Sequence, residues 1–179
     1  MESLRFMLPR LSLVLGGAAS GKSVFAEGLV AAAGGARLYL ATAEAHDAEM
    51  RAKLDRHRAR RGSAWRTLEA PRDLAPALGQ AAADEVVLLD CATMWLSNHL
   101  LADSDMAETE AALFDALDAC AAPVVVVSNE VGLSVVPDNA LARRFQNAQG
   151  ALNQQLAARA GLVVNVIAGL PQVLKGHLP

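Results

Sequence analysis

Five short apolar runs punctuate the chain, at 11–16, 37–42, 85–90, 123–128 and 162–167, each β-branched or Leu-rich and bounded by breaking residues. Short runs without polar alternation are expected of strands covered on both faces, as in a parallel sheet. Between them the pattern predicts helices over 22–33, 46–61, 72–83, 92–101, 107–121 and 138–160. Strand alternating with helix gives an α/β fold, a doubly wound, mostly parallel sheet in three α/β/α layers. Residues 1–179 read as one domain without repeat, low-complexity tract or linker, and the stretch after Gly169-Leu170-Pro171 as a short tail.

Composition narrows the partners. The chain is 53% hydrophobic but only 4% aromatic, so the core must be built from Ala, Val and Leu. A formal charge of −3 lacks the basic excess that a nucleic-acid surface requires. The two cysteines, Cys91 and Cys120, are too few for a disulfide framework or a metal cage and sit in apolar contexts, so both are read as reduced core thiols. The apolar run after Arg10 is shorter than the roughly seven to fifteen residues of a secretory leader, and no run reaches the roughly 18 residues of a membrane span. A cytoplasmic protein with small anionic ligands is expected.

Ligands of such sheets gather at the carboxyl ends of the strands. The first strand ends in Gly16-Gly17-Ala18-Ala19-Ser20-Gly21-Lys22-Ser23, a G-x-x-x-x-G-K-S loop opening a helix, so the sheet is of the P-loop NTPase type. Its N–H groups and the helix N-terminus point at phosphate, Lys22 adds a charge, and Ser23 offers a hydroxyl to Mg²⁺. The second strand ends near Thr42 and Glu44, the fourth in Ser128, Asn129 and Glu130. Asp90 ends the third and reads either as the carboxylate of a Mg²⁺ shell or as an N-cap of the helix behind it.

Helix 46–61 carries Arg51, Lys53, Arg56, Arg58, Arg60 and Arg61 toward its C-terminal end, which reads as a solvated face or as a phosphate-recognition face. His57 lies on one stripe with Met50 and Leu54: either a half-buried histidine against the sheet or a nucleophile toward phosphorus flanked by guanidinium groups.

Seven ordered blocks carry a family resemblance: Gly16 to Ser23; Tyr39-Leu-Ala-Thr-Ala-Glu44; Glu49-Met50 with His57 and Arg61; Trp65 to Pro71; Leu89-Asp-Cys-Ala-Thr-Met-Trp-Leu-Ser-Asn98; Ser128-Asn-Glu-Val-Gly132 with Val136-Pro137; and Gly150-Ala-Leu-Asn-Gln154. In these the chain resembles the adenosylcobinamide kinase / adenosylcobinamide-phosphate guanylyltransferase family over nearly its whole length. The resemblance implies phosphorylation of adenosylcobinamide by ATP or GTP. It then implies transfer of GMP from GTP, through a phosphoramidate on His57, to adenosylcobinamide phosphate with loss of pyrophosphate.

The resemblance also implies GTP contacts at Gly16, Gly17, Ala18, Ala19, Ser20, Gly21, Lys22 and Ser23, at Ala41, Thr42 and Ala43, at Arg58, Ala59, Arg60 and Arg61, and at Glu69 and Asp90. Glu69 could accept from a guanine N1–H and 2-amino group or be a plain surface carboxylate. A homotrimer, with neighbours completing each other's clefts, is a further implication. The chain departs from the family pattern at Ala19, where Arg is usual, at Ala92, at Ser134, where Gly is common, and at Gln146-Asn147, where Arg-Asp is usual. Two other readings remain at this stage: a kinase without the transfer step, and a nucleotide-binding subunit without turnover.

Overall fold

A computed structural model describes residues 7–44 and 64–178. Strands and helices are numbered here among those residues, which exclude His57, Arg58, Ala59, Arg60 and Arg61 and the whole of the expected helix 46–61. Strand β1 (Leu11–Gly16) leads through the phosphate loop into α1 (Lys22–Ala33), followed by β2 (Ala36–Ala41) and, across the undescribed segment, by β3 (Trp65–Glu69). Then come α2 (Ala75–Leu78), β4 (Glu85–Asp90), α3 (Ala92–Leu101), α4 (Met106–Ala119), β5 (Val124–Asn129), α5 (Ala140–Arg159), β6 (Leu162–Ile167) and β7 (Leu170–Lys175).

The sheet order is β3-β2-β4-β5-β1-β6-β7, parallel throughout except for the antiparallel β6–β7 pair. Alternation sorts the side chains onto two faces. Leu13, Leu38, Leu40, Leu89, Val124 and Val126 pack with Trp95, Leu96, Leu152 and Leu156 from α3 and α5. Val14, Leu88, Val125, Val127, Val164 and Val166 pack on the other face with Ala26, Leu29 and Val30 of α1. Small branched residues let the helices sit close to the sheet, which is why so few aromatics suffice.

The helix ends follow local chemistry. Asp105 Oδ1 accepts from the N–H groups of Ala107 (2.9 Å) and Glu108 (3.1 Å), and Asn139 Oδ1 accepts from Ala142 N–H (2.8 Å), opening α4 and α5. At the far end of α5, Lys175 Nζ of β7 donates to the carbonyls of Ala157 and Ala158, each at 3.0 Å, where a cation suits the helix dipole. Arg66 forks onto buried Glu85, at 3.3 and 2.9 Å, and holds that carboxyl below its ordinary range.

Two expectations need correction. The helix expected over 72–83 contracts to Ala75–Leu78, because Pro76 and Gly79 weaken propagation and Ala82 N–H turns out of the helix to Glu85 Oε2 at 2.9 Å. The residues read as a tail form β7, an edge strand exposed at every position. The turn that makes it is Ala168-Gly169, with φ of 53° and 79°. Positive φ at both central residues matches the twist of a two-residue hairpin.

Leu156 is fully buried between α5 and the sheet. Leu156→Ala should lower unfolding free energy by about 2–5 kcal/mol, read from the urea midpoint at unchanged slope.

Candidate nucleotide site

Parallel pairing brings five strand ends to one edge of the sheet. Glu69 lies opposite Ala41, Ala41 opposite Asp90, and Asn129 opposite Gly16. Most residues expected to contact nucleotide therefore stand in one row or in the loop rising from it, and Thr42 and Ala43 continue directly from β2.

The loop is shaped by close approach. A Cβ on Gly16 would overlap Ser20 Oγ and lie 2.7 Å from the Val166 carbonyl oxygen, so only glycine lets the chain leave β1 there. Gly21 adopts φ +91°, and a Cβ on it would come 3.1 Å from Gly169 Cα. The β6–β7 turn thus braces the loop, with Gly169 N–H donating to Ser20 O at 2.8 Å. Ala19 itself sits at φ 55°, the left-handed region. Lys22 Nζ arches back to Gly17 O at 3.0 Å, which holds the ammonium over the loop. Ser23 follows on the first turn of α1.

Asp90 is not the N-cap of α3. Cys91 takes that place, its Sγ accepting from Met94 N–H at 3.4 Å, while Asp90 Oδ2 accepts from Tyr39 Oη at 3.1 Å. The thiol of Cys91 is pushed up to about 11, first by burial and then by the Asp90 carboxylate, with Lys22 opposing. Cys91 is a neutral thiol at physiological pH and Lys22 and Asp90 both exert their field on it.

Buried Thr42 locks the end of β2 to the end of β4. Its Oγ1 donates to Cys91 O at 2.7 Å and accepts from Cys91 N–H at 2.8 Å. Asn98 Nδ2 of α3 donates to Thr42 O and Pro71 O, both at 2.8 Å, and Trp95 Nε1 donates to Arg72 O at 2.8 Å. Arg72 in turn meets Glu44 at 3.5 Å. Helix α3 is thus the clamp that sets the loops after β2 and β3. Glu69 is exposed at the edge.

Sequence reasoning missed a second polar cluster beneath β5. Ser128 Oγ donates to Asn153 Oδ1 (2.7 Å), Gln149 Nε2 donates to both Ser128 Oγ (3.0 Å) and Asn153 Oδ1 (2.9 Å), and Thr93 Oγ1 lies 3.4 Å from Ser128 Oγ. The only local sign was the i, i+4 pair Gln149 and Asn153 on the buried face of α5.

A glycine-lysine loop at the head of a parallel sheet, with a carboxylate two strands away, defines a P-loop nucleotide-binding protein. The chain belongs to the cobinamide kinase / cobinamide phosphate guanyltransferase family, whose model matches residues 12–174. It is 47% identical to the bifunctional adenosylcobalamin biosynthesis protein CobP of Pseudomonas aeruginosa, over 92% of this chain and 97% of that protein. It is 40% identical to the bifunctional adenosylcobalamin biosynthesis protein CobU of Salmonella typhimurium, over 91% and 98%. Among solved structures, the RadB recombinase aligns with 88% of this chain and 74% of that one at 18% identity and a TM-score of 0.47. Among the described residues, no helix is long and apolar enough to cross a membrane.

Two departures from the family pattern meet in space: Gln146 Nε2 donates to Ser134 Oγ at 3.2 Å and to Val131 O at 2.9 Å, fastening the loop that follows β5.

Thr42→Val keeps the shape but strips both bonds from the buried Cys91 backbone. It should cost about 1–3 kcal/mol in urea denaturation.

Proposed function

We propose that one cleft, at the carboxyl edge of the sheet, runs both reactions of the family. The observation that supports this is that five strands end at one edge, Gly16 level with Asn129 and, two residues behind them, Asp90 level with Ala41 and Glu69, so the triphosphate grip and the assigned base-recognising carboxylate share a single edge.

The backbone N–H groups of Gly17 to Ser23 and the start of α1 take the phosphates, and Lys22 neutralises charge at their outer end. The Ser23 hydroxyl and the Asp90 carboxylate are hard oxygen donors of the kind Mg²⁺ takes alongside phosphate and water, so these two residues would hold it. Bound there, the ion neutralises charge that builds on the leaving phosphate oxygens. Glu69 accepts from guanine N1–H and the 2-amino group, which favours GTP; ATP serves the kinase step when only the phosphates are read.

In phosphorylation the alcohol oxygen of adenosylcobinamide attacks the γ-phosphorus, the Pγ–O bond to the β-phosphate breaks, and the alcohol proton leaves to solvent. In guanylyl transfer a neutral His57 nitrogen attacks the α-phosphorus of GTP and pyrophosphate leaves. A phosphate oxygen of adenosylcobinamide phosphate then attacks the same phosphorus, the N–P bond breaks, and the imidazole is restored. Arg58, Arg60 and Arg61 beside the histidine favour its uncharged form and stabilise the extra negative charge.

GTP labelled at the α-phosphate should leave acid-labile, base-stable label on the protein, and His57→Asn should take up none while still phosphorylating adenosylcobinamide. Label on that variant equal to wild type overturns the nucleophile. Absence of label on wild type, with phosphorylation intact, leaves the plain kinase.

The assembly belongs to the same reading. Leu133, Val135 and Val136, on the loop after β5, are 92%, 90% and 73% exposed, an apolar group suited to a neighbouring copy. Light scattering should return three times the 18.7 kDa chain mass; the mass of a single chain overturns the trimer.

A further inference from the structure

Strand β5 stands between β1, which carries the phosphate loop, and β4, which carries Asp90. Its last residue, Asn129, lies in register with Gly16, the first residue of the loop. Alternation along β5 sends Val125 and Val127 into the core shared with α1, so Asn129 projects on that same face beyond them. Asp90 has the same relation to Val86 and Leu88 on β4. Both side chains therefore come off the sheet on the side where α1 presents its N-terminus.

The backbone of Asn129 is held from three directions. Its N–H donates to Thr93 Oγ1 at 2.8 Å, its carbonyl accepts from Asn153 Nδ2 at 3.0 Å, and the next N–H, of Glu130, donates to Gly16 O at 3.1 Å. Asn153 is oriented in turn by Ser128 and by fully buried Gln149. A polar cluster in an otherwise aliphatic core is costly unless its members are paired; apart from Gln149 Oε1, which makes no hydrogen bond, this one spends its bonds on fixing a single strand end.

The side chain so fixed is not satisfied. Asn129 Oδ1 is buried and makes no hydrogen bond within the described structure, as is also true of Ser20 Oγ in the phosphate loop. Buried polar atoms without partners are rare in native proteins, and each needs an explanation. Since the amide can present either end by a half-turn, the group offers an N–H as readily as an oxygen.

We propose that Asn129 is a catalytic residue of the phosphorylation step, its side-chain amide donating to an oxygen of the terminal phosphoryl group of the bound triphosphate. The role rests on the reading of the cleft given above and adds to it a residue outside the loop, the metal pair and the histidine. Asn129 forms no covalent bond. It binds charge that spreads over the γ-phosphoryl oxygens as the bond to the β-phosphate breaks, and its rigid mounting means little reorganisation is needed at that moment.

The two half-reactions separate this role from a structural one, because guanylyl transfer occurs at the α-phosphorus. Asn129→Ala should lower kcat for phosphorylation of adenosylcobinamide about 10²-fold. Asn129→Asp, the same shape with a repelling charge, should lower it further, and Asn129→Ser, which keeps a donor, less. ADP affinity should stay within about threefold of wild type, as should the rate of α-label uptake at saturating GTP, whereas preference for a non-hydrolysable ATP analogue over ADP should fall about tenfold. Phosphorylation within threefold of wild type in Asn129→Asp overturns the proposal, and so does a parallel fall of kinase rate, ADP affinity and label uptake. A wild-type protein with neither activity would instead sink the reading of the cleft.

Discussion

The ladder between β1 and β5, from Leu11 against Val124 to Gly16 against Asn129, sets where the phosphate loop stands relative to every other polar strand end. The two strands are cores of opposite-facing clusters, with Leu13 and Val126 packing under α3 and α5 and Val14 and Val127 under α1. A slip of one residue would exchange those faces and expose both sets at once, so burial on both sides specifies register strongly. The same register carries on through β4 and β2 to β3. Chemistry at the edge thus inherits its alignment from aliphatic packing several residues away.

Where packing was the cause, the sequence was readable. Runs such as Val86 to Leu89 and Val124 to Val127 are apolar because both faces are covered, and α1 and α3 occupy the spans that periodicity and flanking signals assign. β7 was not readable, because an edge strand exposed at every position has no burial to impose a pattern and Pro171 argues against one. The short α2 was overcalled since its apolar positions, Leu74, Ala77, Leu78 and Ala81, are buried yet spread over turn as well as helix. In the site, the glycine-lysine loop and Asp90 follow from local spacing. The Tyr39–Asp90 bond, the Thr42–Cys91 lock and the Ser128–Gln149–Asn153 cluster join residues far apart in the chain, and apart from the i, i+4 spacing of Gln149 and Asn153 no local pattern announces them. The assignments to His57, Arg58, Ala59, Arg60 and Arg61 lie outside the described residues; the residue pattern leaves a solvated face and a half-buried histidine open beside them, and the family resemblance chooses between the readings.

The departures from that pattern have differing weight. Gln146 and Ser134 are in contact: a neutral amide reaches a hydroxyl and a carbonyl on the loop after β5, giving two ordinary hydrogen bonds that tie the loop to α5. Ala19, by contrast, stands in the left-handed region, where a Cβ carries a modest strain that glycine would avoid. The loop keeps its course through Gly16, Gly21 and the brace from Gly169, none of which involves the side chain at 19.

Two reactions, one at the outer and one at the inner phosphorus of a bound triphosphate, place unlike demands on the protein. Phosphoryl transfer involves little covalent work by side chains, so groups fixed on rigid strand ends are what it needs, and the β1, β4 and β5 termini are such groups. Nucleotidyl transfer between two large substrates gains from a covalent stopover, since GMP can stay behind while pyrophosphate leaves and a second acceptor arrives. A nucleophile for that purpose must reach the inner phosphorus without occupying the acceptor's place at the outer one. In the proposed arrangement the sheet edge supplies the fixed groups, and the histidine comes from the chain between β2 and β3, outside the row that grips the phosphates. Separating nucleophile from grip in this way lets the outer phosphate sit in one binding geometry for both steps, so that what changes between them is which oxygen or nitrogen attacks.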